Sequence, residues 1–231
     1  MCGRYTLTKT DPDWVRARFR LDESSRIEEE PRFNIAPTDP VLAIRRHAEG
    51  AREAGRLRWG LVPGRWAQER GTPPLINARA ETVARQPAFA ESFRQRRCLI
   101  PADGFYEWRA QGDRKQPVWI SRADAEPFAF AGIWAELPRA GVDDEVLHSC
   151  AIVTCEPNGL VRALHDRMPV ILAPKDEEGW LAGQDENELL GLLRPLPDAL
   201  MRARDVSAAV SDVRNDGPHL LEPPAEQTTL V

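Results

Sequence analysis

Short runs of apolar residues, broken every few positions by glycine or proline, recur along the whole chain. Those at residues 4–8, 41–46, 56–61, 97–100, 105–108, 118–120, 128–134, 146–154, 169–172 and 201–206 are too short for ordinary helices, and several are rich in β-branched and aromatic side chains, which predicts strands. Helical spacing is rarer. Asp11 followed by Pro12 is a helix-start signal for a segment running to Phe19, and the periodicity predicts further helices over 83–93, 176–181 and 186–193. Residues 112–115 and 139–144 read as hairpin loops, and residues 218–231 as a loose tail. These elements add up to a β-rich α+β fold, organised as one domain over 1–217 followed by a proline-containing tail over 218–231.

Composition narrows the class. With 231 residues, 42% of them hydrophobic, the chain buries a sizeable core. The first twenty residues hold no apolar run of the signal-peptide kind, and no stretch approaches the roughly 18 apolar residues of a membrane span. The expectation is a cytoplasmic protein without a membrane partner. Cys2, Cys98, Cys150 and Cys155 lack paired metal-ligand spacing, so they read as free thiols, and neither a metal nor another cofactor is expected.

Charge is uneven. The net −5 argues against a general nucleic-acid binder, but residues 1–122 carry 23 Lys and Arg against 16 Asp and Glu, while residues 123–231 carry 8 against 20. A basic first half is compatible with phosphate-binding arginines, although only three lysines occur and part of the excess is arginine usage.

The candidate chemistry starts at Cys2. Removal of Met1 would give this residue a free α-amine, with a pKa near 7.7–8.0, beside a thiol with an ordinary value near 8.5, so both would be partly deprotonated at neutral pH. An aldehyde is the natural target, because amine and thiol can add to one carbon and close a five-membered thiazolidine. The competing reading is a small buried residue in a first strand. Three polar segments weigh against it. In 75–82, Asn77 and Arg79 alternate with small residues and would project from one face of an extended segment. In 97–109, Glu107 sits among aromatics, where desolvation raises a carboxyl toward general acid/base range. In 164–172, His165 stands at the mouth of an apolar strand, a position suited to a proton shuttle. Each residue also has a structural reading: a turn amide, an ion pair with Arg109 or Arg79, or a satisfied core histidine.

Taken with Cys2-Gly3-Arg4-Tyr5, Asn34-Ile35-Ala36-Pro37 and Trp59-Gly60-Leu61-Val62-Pro63, these segments make the chain resemble the SOS response-associated peptidase, or abasic-site processing, proteins over residues 1–210. The resemblance implies one domain of curved, mixed and antiparallel sheets closing like a barrel, with peripheral helices. It implies that Met1 is removed and that Cys2 bonds covalently to the opened sugar of an abasic site in single-stranded DNA. In that scheme Asn77 hydrogen-bonds the sugar or thiazolidine, Glu107 moves protons, and His165 assists Schiff-base formation and strand breakage. Arg4 and Arg79 hold flanking phosphates. Trp66 and Trp108 are candidates for stacking on bases, and Arg85 and Arg162 for backbone contacts. The partner is abasic single-stranded DNA, with replication-fork proteins as further candidates, and the chain is expected to be a monomer without general peptidase activity. Two alternatives remain open: an N-terminal-nucleophile amidohydrolase, and a damage binder that never bonds to DNA.

Overall fold

Two sheets account for most of the regular secondary structure among the described residues. The computed structural model describes residues 2–23, 25–47, 50–63, 74–138 and 146–224. Its strands are β1 (Tyr5–Leu7), β2 (Arg32–Ile35), β3 (Pro40–Arg46), β4 (Arg52–Trp59), β5 (Asn77–Arg79), β6 (Arg97–Ala102), β7 (Gly104–Gln111), β8 (Arg114–Arg122), β9 (Phe128–Pro138), β10 (Val146–Cys155), β11 (Met168–Pro169), β12 (Ile171–Leu172) and β13 (Met201–Asp205). Helices are short: α1 (Pro12–Phe19), α2 (Ala90–Gln95), α3 (Gly159–Arg162), α4 (Glu177–Ala182) and α5 (Glu186–Gly191). Among the described residues, no helix is long and apolar enough to cross a membrane.

The first sheet runs β13-β8-β7-β1-β2, antiparallel throughout. The second runs β11-β10-β4-β3-β6-β9-β12, with β5 added to β10. Strand β9 also pairs with β10, from Val146↔Pro138 to Ile152↔Gly132, so β10, β4, β3, β6 and β9 follow a ring. Ring closure removes the open edges that would otherwise expose unpaired amides and carbonyls. The pairings of β10 with β4 and β5 are parallel; those of β3, β6 and β9 are antiparallel. The fold is therefore mostly β, of mixed sheets with peripheral helices.

Aromatic packing ties the two sheets together. Tyr5 meets Trp59 and Phe130 edge-on, with ring centroids 5.4 and 5.6 Å apart, and Phe105 and Phe128 also pack on Phe130. All five rings are buried, each worth a few kcal/mol of removed apolar surface. Strand β1 is thereby pinned in the core, and the chain segment just before it inherits that rigidity. At the start of β7 the backbone passes so close to Trp119 that a Cβ on Gly104 would lie 2.2 Å from the indole nitrogen. Only glycine fits there.

Helix α1 begins as its sequence predicts. The Asp11 side chain accepts from Trp14 N–H at 2.8 Å, Pro12 occupies the first turn, and Val15 and Phe19, four apart, face the core. The helix expected over 83–93 is different: residues 80–89 are turns and α2 starts only at Ala90. Pro87 lacks an N–H and its ring would clash with the carbonyl four residues earlier, which stops a continuous helix. The apolar run at 169–172 divides, with β11 pairing to β10 and β12 to β9. Val170 bridges them, donating to Val153 O and accepting from Ala131 N–H, both at 2.9 Å. Strand β2 had no strand signal, being four residues long and containing Asn34. Packing also continues beyond 217: Pro218–Leu221 forms a three-ten turn, Leu220 is buried, and Ser207 N–H donates to Glu222 O. The hairpin loop expected at 139–144 lies outside the described residues.

Candidate functional site

The pairing of β1 with β7, through Tyr5↔Phe105 and Thr6↔Gly104, sets the start of the chain beside Tyr106, Glu107 and Trp108. Tyr106 N–H extends that ladder by donating to Arg4 O at 3.0 Å. Strand β5 approaches from the other sheet, parallel to β10 in the register Ile152↔Asn77 and Thr154↔Arg79. Asn77 Nδ2 donates to Cys2 O at 3.0 Å. One side chain thus fastens the second residue of the chain across 75 positions of sequence. The other end of that amide, Oδ1, is buried and has no hydrogen-bond partner among the described residues.

Cys2 is fully buried, its sulfur lying 4.0 Å from Arg4 O. Burial raises the thiol pKa well above its ordinary value, and the negative charge of Glu107 adds to the rise. This corrects the expectation from sequence that the thiol is partly ionised at neutral pH. In the folded chain it is a neutral S–H, and a nearby base must accept its proton before it can act as a nucleophile.

Glu107 is the nearby carboxyl. It lies on β7, only 4% exposed, and burial raises its pKa to about 7, well above the ordinary carboxylate range. It therefore exchanges its proton at neutral pH. Neither arginine considered as its partner from sequence forms an ion pair with it: Arg109 pairs with Asp205, and Arg79 is exposed at the end of β5.

His165 follows α3 in the turn leading to β11. Its Nδ1 is 2.9 Å from Arg167 N and 2.8 Å from Asp166 Oδ1. The first needs a bare Nδ1 that accepts and the second an Nδ1 that carries a proton and donates, so the two do not occur together. Burial lowers its pKa, which favours the neutral ring. The turn is held to β5 and β10 by Arg167, which donates to Glu81 Oε1 and Oε2 at 2.6 and 2.9 Å and to Thr154 O at 2.6 Å.

Glu107 and His165 border an open cleft of about 550 Å³ lined also by Gly3, Arg4, Trp108, Lys115 and Ser211, whereas Cys2 and Asn77 are not among its lining residues. Arg4 Nη1 donates to Asn34 Oδ1 at 2.8 Å and Val210 O at 2.7 Å, and its guanidinium lies 5.9 Å from the centroid of the Trp108 ring. Trp108 is half-buried and donates from Nε1 to Ser211 Oγ at 3.2 Å. Arg79, Arg85 and Arg162 are exposed and do not line the cleft; Arg162 Nη2 donates to Pro157 O at 3.0 Å. Trp66 lies outside the described residues. Lys115, Ser211 and Asn34 drew no role from sequence. Asn34 stood inside a quoted motif, but nothing local to Lys115 or Ser211 distinguishes them from other polar surface residues. Among the described residues, no three His, Cys, Asp or Glu side chains converge as a metal site.

A family profile, SOS response associated peptidase (SRAP), matches residues 1–213. The chain is 38% identical to the abasic site processing protein YoqW of Bacillus subtilis, covering 96% of this chain and 99% of that one. It is 33% identical to the Escherichia coli abasic site processing protein YedK, covering 96% and 100%, and 29% identical to the Gallus gallus abasic site processing protein HMCES, covering 93% and 70%. Among solved structures it superposes on a protein of Bacteroides thetaiotaomicron with a TM-score of 0.83, at 23% identity over 96% of this chain and 99% of that one. A phage-related protein of Bordetella bronchiseptica gives 0.69 at 30% identity, over 89% and 94%.

Proposed function

The chain belongs to the SOS response associated peptidase family, and from that premise we propose that it processes abasic sites in single-stranded DNA by bonding to them through Cys2. The observation that carries this reading is the grip of Asn77 on Cys2 beside Glu107, a carboxyl whose proton is in balance near neutral pH. The relatives named above for abasic-site processing support the same substrate.

The reaction begins with hydrolysis of the Met1–Cys2 bond, which consumes one water and frees the Cys2 amine. That amine attacks the C1′ aldehyde of the ring-opened sugar, and the resulting carbinolamine loses water to give a Schiff base. The thiol then adds to the same carbon. Its proton passes through Glu107 to the imine nitrogen, closing the thiazolidine. A carboxyl with a pKa about 7 suits both halves of this transfer, since it accepts from S–H and returns the proton without a large mismatch. Asn77 Oδ1, buried and still able to accept, holds a sugar hydroxyl or the ring nitrogen. Neutral His165 assists carbinolamine dehydration and the elimination that breaks the strand.

Arg4 and Arg79 neutralise phosphates on either side of the lesion, and Trp108 offers a face to an unpaired base. Arg85 and Arg162 extend the cationic path outside the cleft. The test is incubation of untagged protein with an oligonucleotide carrying one abasic site, followed by a denaturing gel. A band that survives SDS and carries the combined mass of the Met1-free protein and the aldehyde form of the oligonucleotide, less the one water lost in forming the Schiff base, is the expected result. A complex that dissociates in SDS overturns the covalent reading.

A further inference from the structure

The Asn34-Ile35-Ala36-Pro37 segment stands out in the sequence, yet the proposed chemistry makes no use of it. In the structure Asn34, on β2, is 3% exposed and joins three parts of the molecule. Its Oδ1 accepts from Arg4 Nη1 at 2.8 Å. Its Nδ2 lies 2.8 Å from Asn215 O, 3.0 Å from Asp212 O and 3.2 Å from Val210 O. Those carbonyls belong to a C-terminal strap over residues 207–222 that crosses the first sheet.

The strap has other anchors. Val210 and Leu220 are buried against Tyr106 and Trp119, and Asp216 Oδ1 accepts from Phe33 N–H at 2.6 Å. It also reaches the cleft directly. Val210 O accepts from Arg4 Nη1 at 2.7 Å, Ser211 O accepts from Arg4 Nη2 at 3.3 Å, and Ser211 Oγ accepts from Trp108 Nε1. Arginine has a flexible stem, and a surface guanidinium ordinarily samples many rotamers. Here three acceptors on the protein orient it, two of them from the strap.

We infer that Asn34 is a positioning residue for DNA binding: it clasps the C-terminal strap onto the first sheet and so orients the Arg4 guanidinium at the cleft. This rests on the reading of Arg4 as a phosphate-holding residue. The strap is then part of the binding site and not only a covering of the sheet.

The test is a double-mutant cycle on Arg4 and Asn34, measured as non-covalent binding of the full-length protein to intact single-stranded DNA across a salt series. Asn34→Ala is expected to weaken binding about tenfold and to lower the salt slope by about 0.7, the value of one lost phosphate contact. In an Arg4→Ala background the same substitution should add little. A purely structural residue would lower the melting temperature without touching the salt slope, and its effect would be additive with Arg4→Ala. Should Asn34→Ala fail to fold, Asn34→Ser keeps a small uncharged polar group that cannot reach Arg4 and the strap carbonyls together, and it is expected to give the same loss of slope. Additive effects, or an unchanged slope in either foldable variant, overturn the inference. If the wild-type protein binds no single-stranded DNA, the underlying reading fails, and the proposal with it.

Discussion

Asn77 holds the carbonyl oxygen of Cys2 at 3.0 Å from a strand of the opposite sheet, so the chain's second residue is fixed from outside its own sheet. Loss of that bond is expected to matter more for reaction than for stability. One hydrogen bond contributes about 1 kcal/mol, or roughly 2–4 °C in melting temperature for a chain of this size. A misplaced nucleophile costs on the order of 10²-fold in rate. Asn77→Ala should therefore crosslink about 10²-fold more slowly while melting within a few degrees of wild type. Equal crosslinking rates would remove Asn77 from the site.

Blocking the amine should abolish reaction even with the thiol intact. A protein that retains Met1, or carries an N-terminal tag, is expected to give no SDS-stable adduct with an abasic oligonucleotide. Intact-mass spectrometry establishes the N-terminus, and the gel reads the product. A tagged protein that crosslinks at the wild-type rate and yield would sink the thiazolidine mechanism.

Removing the thiol separates the two nucleophiles. Cys2→Ala leaves an amine that forms a Schiff base but no ring, so a stable adduct should be absent unless borohydride reduces the imine. His165→Ala keeps both nucleophiles and is expected to slow formation by at most about 10²–10⁴-fold, the range of a general acid or base. A heat-stable, unreduced adduct with Cys2→Ala contradicts the assignment.

The Glu107 carboxyl sets a pH dependence with a defined sign. Burial raises its pKa to about 7 from 4.5, so the folded protein binds this proton more tightly than the unfolded chain does. Its stabilising contribution is complete below about pH 4.5 and is lost as pH rises through about 7. Glu107→Gln mimics the neutral acid and should escape that loss. Melting curves are expected to show the variant gaining on wild type as pH rises across this window, by a few kcal/mol at most. The crosslinking rate of the variant should lack the ionisation near pH 7. Parallel melting curves at all pH values would show that burial does not hold this proton.

Arg4→Ala and Arg79→Ala are each expected to weaken binding to intact single-stranded DNA and to lower the salt slope by about 0.7. Binding isotherms at several salt concentrations give the slopes. Unchanged slopes would exclude both from phosphate contact.

Much of the fold is legible in the order of residues, because strand length, helix starts and turns depend on neighbours a few positions away. The Asp11 cap, the buried run of β6 and the aromatic pattern around Glu107 are of this kind. So is the family, since its motifs are local strings. Only the tertiary structure decided what those strings touch. Pairing of β1 with β7 and of β5 with β10 brings Cys2, Asn77 and Glu107 together from separate segments. Burial then reversed the expected ionisation of the Cys2 thiol, because desolvation is set by distant chain and not by adjacent residues. Asn34 carries the same lesson: its partners are 30 residues away at Arg4 and 176 to 181 away in the strap, so its neighbours in sequence hold no sign of the clasp it forms.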